Sequence, residues 1–205
     1  MSPDDVSICC VPLTLDRWPD LEKLFGRHGA QAGCWCMWWR QPASEFAAGK
    51  GEKNREALRA LVASGDPPGL LAYLGDEPVG WCAVAPRERY VRLARSRTLK
   101  AIDQQPVWSI TCFFVARRHR RQGITGQLLD AVVPFVRDRG GRIVEAYPIA
   151  PASGEYPAAY AYMGLLSTFL AAGFEIVARP SPSRAIVRYV IQPSARPSRR
   201  RGGGK

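Results

Sequence analysis

Read for alternation of apolar and polar positions, the chain divides into short strand-like runs and a few helical stripes. Ile8 to Leu13 is an apolar run that predicts a strand, and Pro12, which cannot donate to a ladder, assigns it to a sheet edge. Asp16 to His28 predicts a helix with Asp16 as N-cap and Gly29 as stop. Gly33 to Arg40 is crowded with aromatics and has no helical period. Glu52 to Ser64 has one: Ala57, Leu58, Leu61 and Val62 share a stripe that Gly65 ends.

Gly69 to Leu74 and Val79 to Ala85 predict two strands of a hairpin turned at Gly75-Asp76-Glu77-Pro78. Pro86 to Lys100 is polar and basic and reads as loop or short helix. Val107 to Val115, rich in β-branched and aromatic residues, is the strongest strand in the chain. Gly123 to Arg139 follows as a helix with Ile124, Leu128, Val132, Val133 and Val136 on one face, and Pro134 inside it predicts a kink. Arg142 to Tyr147 is a further strand, Leu165 to Ala172 a short helix stopped by Gly173, and Glu175 to Ala178 and Ala185 to Ile191 the closing strands. Antiparallel pairs followed by one β-α-β crossover make an α/β fold, a mixed sheet with helices packed on it.

Composition narrows the class. Of 205 residues, 46% are hydrophobic and 23% charged, which fits one globular domain, taken as residues 1–192, and a basic tail from Pro193 to Lys205 of disordered composition. No apolar run approaches the roughly 18 residues of a membrane span, so no membrane partner is expected. The acidic start Met1-Ser2-Pro3-Asp4-Asp5 has neither a basic n-region nor an apolar h-region, which predicts a cytoplasmic protein. The six cysteines are irregularly spaced and contain no C-x-x-C, so reduced thiols and no metal site are expected, with Cys34-x-Cys36 leaving a reactive thiol open. The net charge of +11 is concentrated in two places, the tail and the knot Arg117-Arg118-His119-Arg120-Arg121. Such charge suits nucleic acid, an anionic membrane or an anionic small ligand, and composition does not choose among them.

The chemistry gathers where the strongest strand meets its helix. Gly123 permits close approach to the backbone, and the first amides of a helix have no internal partner. With the positive helix end and flanking arginines they form a cradle for phosphate oxygens. No Gly-Lys-Ser/Thr and no G-x-G-x-x-G is present, so neither a Walker loop nor a dinucleotide fingerprint applies. A structural turn with solvated arginines is the plainer alternative.

Arg120-Arg121-Gln122-Gly123-Ile124-Thr125, followed by Gly126-Gln127-Leu128-Leu129, resembles motif A of the GNAT acyltransferase superfamily, R/Q-x-x-G-x-G/A, with Thr125 at the last small position. Val79-Gly80-Trp81, Val144-Glu145-Ala146 and Ala172-Gly173-Phe174 resemble the family's hairpin strand, its L-E-V strand and its closing L-G-F. The resemblance runs from about Leu70 to Ile191 and implies the GNAT fold, a mostly antiparallel sheet splayed at the cofactor strand. It implies acetyl-CoA as co-substrate, with the pantetheine arm on free backbone groups of Phe113 and Val115. The pyrophosphate would lie on Arg120, Arg121, Gln122, Gly123, Ile124, Thr125 and Gly126.

By the same resemblance Glu145 is a candidate base, with an ion pair to Arg142 or Arg188 as the alternative. Ser109 stands where another family glutamate would be, and Phe169 where a tyrosine acid often is. Tyr162 is therefore the candidate acid, in competition with Tyr160, Ser167 and Thr168, or it simply packs in a loop. Trp35, Trp38, Trp39 and Pro86-Arg87-Glu88 either wall an acceptor pocket or bury the first helix on the sheet, and Cys112 is expected to face away from Phe113. The implied function is an N-acetyltransferase acting on a small-molecule amine. Aminoacyl-tRNA or protein acceptors, nucleic-acid binding through the tail, a degenerate acyl-CoA-binding domain and a homodimer remain open.

Overall fold

The computed structural model describes residues 7–151 and 161–192; the proposed tail and Tyr160 lie outside the described residues. Seven strands form one sheet: β1 (Ile8–Pro12), β2 (Gly69–Leu74), β3 (Glu77–Pro86), β4 (Trp108–Val115), β5 (Ile143–Ala146), β6 (Glu175–Ser181) and β7 (Arg184–Val190). Their order across the sheet is β1-β2-β3-β4-β5-β7-β6, with β4 and β5 the one parallel pair among them. β1 sits at an edge, as its proline requires. The β2–β3 turn is tight, Gly75 and Asp76 alone separating the paired Leu74 and Glu77.

Among the described residues six helices flank the sheet: α1 (Trp18–Phe25), α2 (Ala43–Gly49), α3 (Glu52–Ala63), α4 (Val91–Ala94), α5 (Ile124–Arg137) and α6 (Leu166–Ala171). The helix expected over 16–28 is shorter, bounded by 3-10 turns at Leu15–Arg17 and Gly26–His28. Pro19 occupies its first turn, where a missing N–H leaves nothing unsatisfied, and Asp16 does not cap it but pairs with Arg17 at 3.0 Å. The sequence reading contains no counterpart of α2; seven residues with one large apolar side chain, Phe46, show too little periodicity to betray a helix. α5 continues through Pro134 as a single helix, its buried stripe of Leu128, Leu129, Val132, Phe135 and Val136 holding it to the sheet.

Two apolar layers enclose the sheet. α5 and α6 cover one face, packing on Val84, Ile110, Val144 and Val187; α1 and α3 cover the other over Leu71, Trp81 and Ala83. Gly80 makes the first contact possible, because a Cβ there would lie 2.7 Å from Ile124 Cγ2. A third cluster, Tyr90, Leu93, Leu99, Tyr147, Met163 and Ile186, lies beneath Trp39 and Tyr162.

One irregularity in β4 decides which way its side chains face. Val84 pairs with Ile110 and Ala83 with Cys112, so Thr111 is an extra residue, a β-bulge. The bulge resets the alternation: Phe113 joins Ile110 in the α5 layer, while Cys112 and Phe114 pack with the α1 layer. Cys112 thus faces away from Phe113, as expected.

Candidate active site

Past the bulge, β4 and β5 part. Their parallel pairing covers Trp108 to Ile110 against Val144 to Ala146, after which β4 runs on to Val115 with only β3 beside it as a paired strand. The wedge between them exposes backbone polar groups, which must find partners. The N–H of Phe113, expected to be free, donates to the carbonyl of Tyr162 at 2.6 Å, because the 161–164 segment lies against the strand. The carbonyl of Val115 accepts from Arg120 Nε at 3.1 Å. The wedge is therefore lined by the two backbone positions read from the sequence, but both are engaged within the chain.

The turn after β4 is built differently from an ordinary capped helix start. Arg121 has φ +63° and Gly123 φ +77°, and no side chain caps α5. Among the described residues the amides of 121, 122, 123, 124 and 125 make no backbone hydrogen bond, whereas Gly126 and Gln127 donate to the Gly123 carbonyl at 2.9 and 3.2 Å. A Cβ added at Gly123 or Gly126 would meet nothing within 4 Å, so both glycines face open space. Five unpaired N–H groups beside a helix N-terminus are suited to an anion with several oxygens. Of the candidate cradle residues, Arg120 folds back onto β4 and Gln122 Nε2 reaches the Arg118 carbonyl at 3.3 Å; Arg121 and Gly123 are exposed. Arg118 and His119 turn the other way, both meeting Glu77.

On the opposite side of the β4–β5 junction lies a buried polar network. Glu145, fully buried on β5, is paired in register with Ser109 on β4 and Arg188 on β7. Its Oε1 accepts from Arg87 Nη1 at 3.0 Å and from the Tyr147 hydroxyl at 2.7 Å; its Oε2 accepts from Arg188 Nε at 2.8 Å. Arg188 also grips Asp103 through two contacts of 2.6 and 3.0 Å, and Ser109 Oγ lies 2.8 Å from the Tyr147 hydroxyl. Burial first, then the Glu145 charge, raise the Tyr147 phenol far above its ordinary range. Of the two roles the sequence leaves open for Glu145, the ion pair is formed, with Arg188 as one partner and Arg87, not Arg142, as the other. Arg87, 58 residues away in sequence, carries no local pattern that could have announced it.

Tyr162 lies half-buried next to the wedge. Burial is the largest cause raising its phenol, Cys112 adds to it, and Arg184 and Arg92 pull it down; the net direction is upward. A raised phenol stays protonated at neutral pH, the state an acid needs. Phe169 is fully buried between Phe113 and Phe174, at ring-centroid distances of 6.0 and 5.1 Å.

The aromatic segment divides. Trp35 is buried and stacks on Trp18 at 6.0 Å, so it holds α1 to the sheet. Trp38 and Trp39 instead line an open surface depression of about 350 Å³ with Arg92 and Arg95. Cys36 is buried and accepts from the Trp81 indole at 2.9 Å; its neighbour Cys112 lowers the Cys36 thiol, and Cys36 in turn raises that of Cys112. Among the described residues no group of three histidine, cysteine or acidic side chains is arranged to hold a metal ion. Among them, too, no helix is long and apolar enough to cross a membrane.

Known proteins resemble the chain both in sequence and in shape. Residues 23–157 match the model of the Acetyltransferase (GNAT) family. A GNAT-family protein of Desulfovibrio desulfuricans is 16% identical with a TM-score of 0.51, covering 91% of this chain and 100% of its own. PaiA N-acetyltransferase of Thermoplasma acidophilum, solved with coenzyme A, is 14% identical at 0.50, covering 90% and 99%. YncA of Salmonella typhimurium, solved with acetyl-CoA, is 11% identical at 0.52, covering 94% and 98%. Among curated proteins none matches. At these identities the structural likenesses speak for the fold.

Proposed function

The chain belongs to the acetyltransferase (GNAT) family, and from that premise we propose that it moves an acetyl group from acetyl-CoA to the amine of a small molecule by direct transfer. The observation carrying this reading is the row of unpaired amides over residues 121–125, where β4 gives way to α5. Those amides, with the open faces of Gly123 and Gly126, fit the twin phosphates of a coenzyme A thioester. The wedge suits the pantetheine arm: the Phe113 N–H already takes a carbonyl acceptor, that of Tyr162, and exchange of that partner would free it for the ligand. Bound there, acetyl-CoA supplies an activated acyl carbon and a thiolate leaving group.

The chain's own groups then have defined tasks. The Tyr162 hydroxyl, kept protonated by burial, gives its proton to the departing sulfur and takes one back from solvent. Glu145 enters as a positioning residue and not as the base, because its carboxylate is enclosed by Arg87, Arg188 and Tyr147. The amine loses its proton to solvent. The open depression at Trp38 and Trp39, walled by Arg92 and Arg95, is the acceptor side of this reading.

The test is thiol release from acetyl-CoA against an amine library, with labelled acetyl followed into low-mass, protein and RNA fractions. Label in the low-mass fraction is expected; label confined to protein or RNA would overturn the small-molecule assignment. Tyr162→Phe is expected to lower kcat by about 10²-fold, the lower end for a general acid, and to remove an alkaline limb lying above the ordinary tyrosine value of 10.0. The limb is a fall because the phenol must be protonated to act. An unchanged kcat and pH profile would take Tyr162 out of the chemistry.

A further inference from the structure

The cavity beside Trp38 and Trp39 has a chemical bias that the transfer reaction by itself does not demand. Its wall includes Trp38, Trp39, Pro42, Arg92, Arg95 and Ser96, with no carboxylate among the lining residues. Arg92 is half-buried yet forms no ion pair among the described residues, in which most buried or half-buried charge is matched; the exposed Arg95 forms none either.

Arg92 is held in one orientation. Its guanidinium lies 3.8 Å over the Trp38 ring and its Nε donates to the Gln41 carbonyl at 3.0 Å, while its own backbone N–H donates to the Trp39 carbonyl at 3.1 Å. The stacked face and Nε are thus committed, and Nη1 and Nη2 make no hydrogen bond among the described residues. A planar, preset fork with both outer nitrogens available matches the two oxygens of a carboxylate. Arg95 lies three residues on along the chain and adds a second cation on the same wall.

One wall residue shares its packing with the candidate acid. Trp39 and Tyr162 pack on the same apolar cluster, and the Arg92 charge is close enough to Tyr162 to pull its phenol downward. We propose that this pocket binds the carboxylate of the acceptor through the Arg92 fork, with Arg95 as a second cation, so that the acceptor is a small amino acid-like amine. The inference rests on the transfer reading for the word acceptor; the anion site itself does not.

Two readouts keep them apart. Tryptophan fluorescence is titrated with free L-amino acids and with their carboxamides, which keep the amine and lose the charge. At least one acid is expected to bind about 10²-fold more tightly than its amide, since a site built for a group rejects the analogue lacking it. In Arg92→Gln that ratio is expected to fall towards 1, and Arg92→Lys, which keeps charge without the fork, should restore little of it. Thermal melts of both variants verify folding. Equal response to acid and amide, or no response to any acid, overturns the proposal, as does tighter binding of phosphoethanolamine than of every carboxylate. Thiol release from acetyl-CoA is then measured on the same pairs. Release without preference for the acid overturns the pocket and leaves the transferase standing. Acid-selective binding with no release from any amine does the reverse.

Discussion

Gly123→Asp is expected to weaken coenzyme A binding by about 10³-fold, read by isothermal titration. Gly123 has φ +77°, a conformation that aspartate tolerates better than most residues, so the turn should survive the change. Its Cβ would enter open space beside the unpaired amides, and the carboxylate on it would occupy them while repelling incoming phosphate. Two unit charges about 4 Å apart at an effective dielectric near 20 repel by about 4 kcal/mol, which corresponds to roughly three powers of ten. Gly123→Asn adds nearly the same bulk without the charge and should lose far less. Equal losses in the two variants would mean that shape, not charge, governs the site.

The second large effect is on stability. Glu145→Gln leaves Arg87 and Arg188 in a buried site with a neutral partner, and removing one member of such a set costs about 3–5 kcal/mol. Asp103 still neutralises Arg188, so the lower end, about 3 kcal/mol, is expected in urea unfolding. The variant also separates the two roles of Glu145. Turnover per folded molecule should persist if the carboxylate only positions its neighbours; lost turnover in a stable variant would make it the base.

The path from Glu145 to those neighbours shows where the sequence stops being legible. All seven strands are readable because their apolar runs are bounded by glycine, proline or charge, and Pro12 even indicates the edge. The strand-to-helix turn after β4 is readable too, since strand, glycine and helix stripe succeed one another within a few residues. The network is not: Arg87, Glu145 and Arg188 are brought together by sheet register across 43 and 58 residues, and no local spacing encodes that. The Phe113 amide is not the free group expected, because its partner, the Tyr162 carbonyl, is a backbone group in a stretch without periodicity. The bulge at Thr111 is equally invisible, although it decides that Phe113 faces α6 and Cys112 faces Trp81 and Cys36. The tryptophans read as a unit and prove to be two: Trp35 joins the core, while Trp38 and Trp39 open onto a pocket.

Backbone amide shifts of isotope-labelled protein, followed as coenzyme A is added, bear most directly on where the phosphates rest. The amides of residues 121–125 should move furthest and saturate together, with Phe113 following as Tyr162 lets go of it. Saturable binding that leaves those five resonances in place would contradict the account.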